Sequence, residues 1–270
     1  MYIIFIDLDG TLLRDDNTVS DYTKRIIRQT IENENIIVFM TARSGRLAGI
    51  SDDVKNLTDK YILHNGGEII ASGINRKFYF SREETEKIGC FLTENKIKTA
   101  VILDNAYYAN YDVKEVWGDI EKFQFTDFQQ SNFCAPKFSI INECIQANML
   151  MNFGKVTYID EQKNIILSPF GIDKGNAIKE YLKEADSVEY RTICIGNDIN
   201  DISGFDMCDI SVAVSNGDSI VIERADFITS SNDEDGVAKW LEGYMLNEFD
   251  HFEGEIANIP ADKVSNDTYT

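Results

Sequence analysis

The chain has 270 residues, 43% of them hydrophobic and 27% charged, a length and balance that suit a globular protein of one large or two modest domains. Its 26 Lys and Arg stand against 46 Asp and Glu, a net charge of -20. That excludes nucleic acid and anionic membrane as expected partners, and any bound phosphate must be met by positive charge supplied locally.

No apolar run reaches the length of a membrane span, and the first strand opens at once, leaving no room for an export leader. Cys90, Cys134, Cys144, Cys194 and Cys208 show no CxxC spacing and form an odd set, so a cytoplasmic protein with reduced thiols is expected.

The run Tyr2-Ile3-Ile4-Phe5-Ile6 predicts a buried parallel strand, and Asp7 closes it. Asp7 and Asp9, two apart, project toward the same space, and Gly10 lets the chain turn just beyond them. Two carboxylates at one mouth require a cation or a retained proton, which points to a magnesium site, an acid/base couple, or both.

Ser20 caps a predicted helix to Glu34. Ile36 to Met40 forms a second strand ending at Thr41-Ala42-Arg43, a helix follows from Leu47 to Leu57, and Tyr61 to His64 is a third strand. This order implies a parallel sheet with helices on both faces, whose ligands gather at the carboxyl ends of the strands, where Asp7, Asp9 and Thr41 fall.

Asn65-Gly66-Gly67 reads as a hairpin turn followed by strands Glu68 to Ala71 and Lys77 to Phe80. Ser81 and Glu84 form a capping box that opens a helix to Lys96. Strands Thr99 to Leu103, Tyr107 to Tyr111 and Lys137 to Ile141, with helices between them, then make an inserted α+β domain over 81–164. Trp117, Tyr107, Tyr108 and Tyr111 are candidates to line a substrate pocket but read first as the core of that insertion, and His64 reads as a strand-end packing residue.

The core is expected to resume at Ile165-Ile166-Leu167, giving a discontinuous domain of 1–80 and 165–246 with hinges near Ser81 and Ile165. A helix from Lys174 to Glu184, strands Thr192 to Ile195 and Ile210 to Val214, and a helix from Val237 to Met245 complete it. An acidic, weakly patterned tail over 247–270 follows.

Cleaving a phosphate monoester needs an in-line nucleophile, charge on the phosphoryl oxygens and a protonated leaving group. Asp7 is the candidate nucleophile, forming an aspartyl-phosphate, and Asp9 the candidate acid and base. Thr41 and the Ala42 amide are placed to hydrogen-bond the phosphoryl group, Lys174 to neutralise it, and Arg43 to reach a substrate or tie down the insertion. Asn197, Asp198, Asn200 and Asp201 crowd four oxygen donors into five positions, which suits magnesium; an Asx-rich helix cap is the structural alternative.

DLDGT at Asp7 to Thr11, Thr41 after the second strand, Lys174 within GIDKGNAI and GNDIND at Gly196 to Asp201 resemble the four motifs of the haloacid dehalogenase-like superfamily. HNGG after the third strand, the insertion between the second and third motifs, and ITSSNDEDGVA at Ile228 to Ala238 resemble the Cof-type hydrolases of subfamily IIB. The resemblance implies an α/β fold with a Rossmann-like, doubly wound parallel core and an inserted cap. It also implies Mg2+ dependence and hydrolysis of small phosphorylated metabolites, often sugar phosphates. Magnesium would be held by the Asp7 carboxylate, the Asp9 backbone carbonyl and residue 197, with Asn200 on the substrate side.

Two positions depart from the family pattern. Asn197 replaces the first Asp of GDxxND, so one negative charge is lost and weaker magnesium binding is expected, offset by Asp201 and by Asp198 through water. Ala42 stands where Gly is common, with its amide intact. A phosphomutase of the phosphomannomutase kind and a non-catalytic metabolite-binding protein are the alternative functions. No motif names the substrate or the oligomeric state.

Overall fold

In a computed structural model of the chain, the described residues are 1–43, 50–71, 73–103, 106–117, 122–128, 131–142, 147–159, 162–184 and 190–246. The expected acidic tail, part of the helix from Leu47, Cys144 and the side chain of Trp117 lie outside what is described. Among the described residues no helix is long and apolar enough to cross a membrane.

The chain runs β1 (Tyr2–Asp7), α1 (Asp21–Glu32), β2 (Ile36–Met40), α2 (Asp52–Lys55), β3 (Tyr61–Leu63), β4 (Glu68–Ala71) and β5 (Ile74–Lys77). Next come α3 (Arg82–Glu94), β6 (Thr99–Leu103), β7 (Ala106–Ala109), α4 (Lys114–Trp117), β8 (Phe123–Phe125), β9 (Phe138–Ile141), β10 (Lys155–Ile159) and β11 (Asn164–Ser168). It closes with α5 (Lys174–Leu182), β12 (Arg191–Gly196), α6 (Ile202–Phe205), β13 (Ile210–Val214), α7 (Ser219–Arg224), β14 (Phe227–Thr229) and α8 (Gly236–Leu241).

Two sheets result. The first has the order β14-β13-β12-β1-β2-β3-β4-β5, parallel as far as β3 and antiparallel beyond it. Its strands are continuously apolar because both faces are covered. Ile4, Ile6, Phe39, Ile195 and Val212 pack on one side with Ile26 of α1 and Leu241 of α8. Ile3, Phe5, Val38, Cys194 and Ala213 pack on the other with Ile178 of α5 and Phe205 of α6. Alternation of side chains thus builds two cores from one sheet, the doubly wound arrangement expected.

The second sheet has the order β10-β11-β9-β6-β7-β8 and packs one face on α3 through Phe80, Ile88, Leu92, Phe138 and Ile140. Ser81 caps α3 with the reciprocal Glu84 bond expected of a capping box. The chain crosses between the sheets near Tyr79: Phe78 N still donates to Gly67 O, whereas Phe80 N donates to Ala135 O.

Several expectations are corrected. Ile165-Ile166-Leu167 does not reopen the parallel series; it lies in β11, antiparallel to both β9 and β10 in the second sheet. Its unbroken apolar run arises because that strand, too, is covered on both faces, and periodicity cannot separate the two cases. The strand expected at Lys77 to Phe80 ends at Lys77, because Phe80 leaves the sheet to join the α3 core. The helix expected from Leu47 is described only as the single turn α2, β7 stops at Ala109 short of Tyr111, and β8 and β10 were not anticipated.

Candidate active site

The parallel register brings the expected residues to one edge. Asp7 pairs level with Met40, and Ile6 with Ile195, so the segments after β1, β2 and β12 emerge side by side. Lys174, the first residue of α5, reaches into this edge: its Nζ donates to Asp7 Oδ1 at 2.6 Å and to Asp201 Oδ1 at 2.5 Å. Lys174 and Asp201 are 0% exposed and Asp7 is 5% exposed.

The other oxygen of Asp201 accepts from the amides of Asn197 and Asp198 at 3.0 and 3.1 Å. Asp201, expected as a cation ligand, thus anchors Lys174 and folds the GNDIND turn through its two oxygens. Gly196 makes that fold possible, since a Cβ there would lie 2.4 Å from the Asp201 carboxyl carbon. Asp198 caps the turn through Ile199 N, so the Asx-cap alternative and a functional turn coexist in one segment.

Burial pushes the Asp7 carboxyl up to about 8, with Asp201 and Asp9 adding to the rise and Lys174 opposing it. Burial also works against the Lys174 charge, but Asp201 and Asp7 outweigh it and hold the ammonium above the ordinary lysine value. Lys174 therefore keeps its proton, and further positive charge beside Asp7 would favour its carboxylate.

Asp9 lies at the rim and is bound by Arg43, whose backbone N–H donates to Thr41 Oγ1 at 3.0 Å. Thr41 Oγ1 donates to Asp9 Oδ2 in a long 3.4 Å contact. The loop after β3 supports this segment, with Asn65 N on Thr41 O and His64 N on Arg43 O. Asn65 Oδ1 also accepts from Asn200 Nδ2 at 3.0 Å, which fixes Asn200 at the same edge. Asn65 itself sits at φ 60, a left-handed conformation that Asn tolerates.

Asp7, Asp9 and Asn197, the residues expected to hold magnesium, all line one cavity and would offer a hard divalent cation oxygen donors. Among the described residues no three His, Cys, Asp or Glu side chains are gathered to hold a metal, so backbone and amide oxygens must contribute. Asn197 Oδ1 accepts from Thr11 Oγ1 at 3.0 Å, which aims the amide oxygen and leaves a second lone pair. The donor set fits magnesium with one carboxylate fewer than the family pattern.

A cavity of about 370 Å³ covers the edge. One wall is Asp7, Asp9, Ala42, Arg43, Asn197, Asp198 and Asn200; the other comes from the second sheet, with Ile102, Tyr107, Lys137, Ser139, Ile159 and Asn164. β10 also packs against the Ile199–Asp201 turn. Tyr107 is therefore a wall residue, the pocket-lining alternative, whereas Tyr108 packs its ring at a tilt on Phe133 and Tyr111 is buried. Lys137 and Ser139 were missed. Their signal was the alternation Lys137, Phe138, Ser139, Ile140, in which polar and apolar residues take opposite faces.

A family model described as haloacid dehalogenase-like hydrolase matches residues 4–241. A 5-amino-6-(5-phospho-D-ribitylamino)uracil phosphatase of Bacillus subtilis is 28% identical over 254 residues, covering 90% of this chain and 96% of its own. A second B. subtilis phosphatase of the same name is 24% identical over 292 residues, covering 92% and 100%. Among solved structures, a subclass IIB sugar phosphatase, BT4131, superposes with a TM-score of 0.79 at 20% identity, covering 90% of this chain and 99% of that one. It shares the fold, a Rossmann-like core with a cap.

Proposed function

The chain belongs to the haloacid dehalogenase-like hydrolase family and is a phosphatase, and from that premise we propose that it hydrolyses small phosphorylated metabolites, sugar phosphates among them, with Mg2+ and through an aspartyl-phosphate. The second sheet is the cap that covers the reaction. The observation that carries this reading is the Asp7 carboxylate, buried at a strand end and held by Lys174 at 2.6 Å beneath a cavity. The two B. subtilis relatives are named for a phosphate ester on a ribityl chain, and BT4131 for sugar phosphates. These names support a polyhydroxylated substrate.

In the first displacement a carboxylate oxygen of Asp7 forms a bond to phosphorus as the ester P–O bond breaks. Asp9 gives its proton to the departing oxygen, which leaves as an alcohol. In the second, Asp9 takes a proton from water, the water oxygen bonds to phosphorus, and the bond to Asp7 breaks. Inorganic phosphate leaves and the Asp7 carboxylate is restored. Thr41, the Ala42 amide and Asn200 orient the phosphoryl oxygens, while Lys174 works against burial to favour the Asp7 carboxylate. Asp7, the Asp9 carbonyl and Asn197 would hold Mg2+, which would supply positive charge against the phosphoryl oxygens.

Release of inorganic phosphate from phenyl phosphate with Mg2+, compared between the parent and Asp7→Asn, tests the reading. Turnover confined to the parent is expected. Turnover surviving in Asp7→Asn removes the nucleophile, and a folded parent inert toward all esters favours a binding protein.

A further inference from the structure

The turn after β3 holds two consecutive residues in the left-handed region, His64 at φ 55 and Asn65 at φ 60. Three segments close on it. Asn65 N donates to Thr41 O at the end of β2, and Asn65 Oδ1 accepts from Asn200 Nδ2 in the turn after β12, 135 residues along the chain. Gly66 abuts the Asp173 carbonyl at the start of α5, with no room for a Cβ between them. The turn thus touches the segments that carry Thr41, Asn200 and Lys174.

This arrangement is costly. Asn65 is 0% and Asn200 7% exposed, yet among the described residues Asn65 Nδ2 and Asn200 Oδ1 have no hydrogen-bond partner. Buried polar atoms are nearly always paired and left-handed backbone is uncommon outside glycine, so a plain connecting turn has no use for either. Strain and unpaired groups persist where a site depends on them. Here the dependent group is Asn200, which lines the cavity together with Asp7. A carboxamide has a donating end and an accepting end, and phosphoryl oxygens only accept. The Asn65 oxygen takes one N–H of Asn200 and leaves the second to donate, whereas a reversed Asn200 would set two oxygens against each other.

We propose that Asn65 is a positioning residue for phosphoryl transfer: its carboxamide oxygen fixes the Asn200 amide with an N–H toward the phosphoryl oxygens. The inference rests on the phosphatase reading and adds a residue to its machinery. Asn65 is fully buried, so it acts through Asn200 and not on the substrate.

Asn65→Gly isolates the side chain, because glycine accepts φ 60 and keeps the backbone N–H on Thr41 O. On phenyl phosphate with Mg2+ it is expected to lower kcat about tenfold or more with KM within about threefold, since orientation is lost in the transition state. A role confined to holding the turn would lower activity whatever residue 200 is. A double-mutant cycle separates the two: in an Asn200→Ala background, Asn65→Gly should change kcat by less than about twofold. Asn65→Asp, which accepts but cannot donate and tolerates the same backbone, should keep kcat within about threefold of the parent while its charge raises KM. Unchanged kcat in Asn65→Gly overturns the proposal, as does an equal loss in both backgrounds. If Asn65→Gly does not fold, Asn65→Asp decides alone, and a fall in its kcat of about tenfold or more overturns the proposal. No phosphate release by the parent overturns the phosphatase reading, and this inference with it.

Discussion

Arg43 clamps Asp9. Its Nε donates to both carboxylate oxygens at 3.0 and 2.9 Å, and its Nη2 bridges from Asp9 Oδ1 at 2.5 Å to Asn17 Oδ1 at 2.6 Å. Asp9 cannot pass a proton while both oxygens are held in this way, so the proposed chemistry requires the guanidinium to change partners. Phosphoryl oxygens offer the same fork geometry as a carboxylate. Arg43→Met is therefore expected to lower kcat/KM by about 10- to 100-fold, and Arg43→Lys to recover only part, because an ammonium cannot make the bidentate contact. Steady-state kinetics on phenyl phosphate decide it; an unchanged kcat/KM would show that the clamp has no part in turnover.

Lys174 is the most exacting position for stability. Lys174→Met leaves Asp7 and Asp201 buried without their cation, and breaking a buried pair from one side costs about 3–5 kcal/mol. Urea unfolding should register that loss, together with abolished turnover. A variant as stable as the parent would mean that the two carboxylates share a proton instead.

Asn197→Asp restores the charge that the family pattern carries. We expect Mg2+ to activate the variant at about one-tenth of the concentration the parent needs. In a thermal melt without metal the variant should be the less stable protein, because the added carboxylate is then repelled by those of Asp7 and Asp201. Adding Mg2+ should raise its Tm more than the parent's. Equal Mg2+ responses would exclude residue 197 from the cation site.

His64 sets an acid limit. Burial, with Lys137 and Lys77 nearby, lowers its pKa from 6.5 to about 3. The unfolded chain thus binds a proton that the folded chain refuses between those values. The contribution is complete above pH 6.5 and is lost as pH falls toward 3, at about 1.4 kcal/mol per pH unit. His64→Asn, chosen because residue 64 sits at φ 55, should flatten the fall of the urea midpoint between pH 6.5 and 4. A slope unchanged from the parent would assign the acid sensitivity to other groups.

The first sheet and the four motif segments were legible because they obey local rules: apolar runs ending in polar turns, and a Gly wherever the backbone must pass close. What misled was equally physical. β11 is as apolar as β12, and only its antiparallel partners separate a cap strand from a core strand. The bond of Asp201 to Lys174 was not legible locally, because it depends on α5 arriving from another part of the chain. Lys137 carried a weak signal, one charge before an apolar strand, whose meaning appears only once the two sheets face each other.

Lys155 of β10 lies 3.3 Å from Asp173 Oδ2, while the other oxygen of Asp173 accepts from Asn176 N at 2.8 Å and so caps the helix that begins with Lys174. Five residues separate the end of β11 from that helix. Any shift of the second sheet would thus tug at the very peptide from which the interior ammonium hangs.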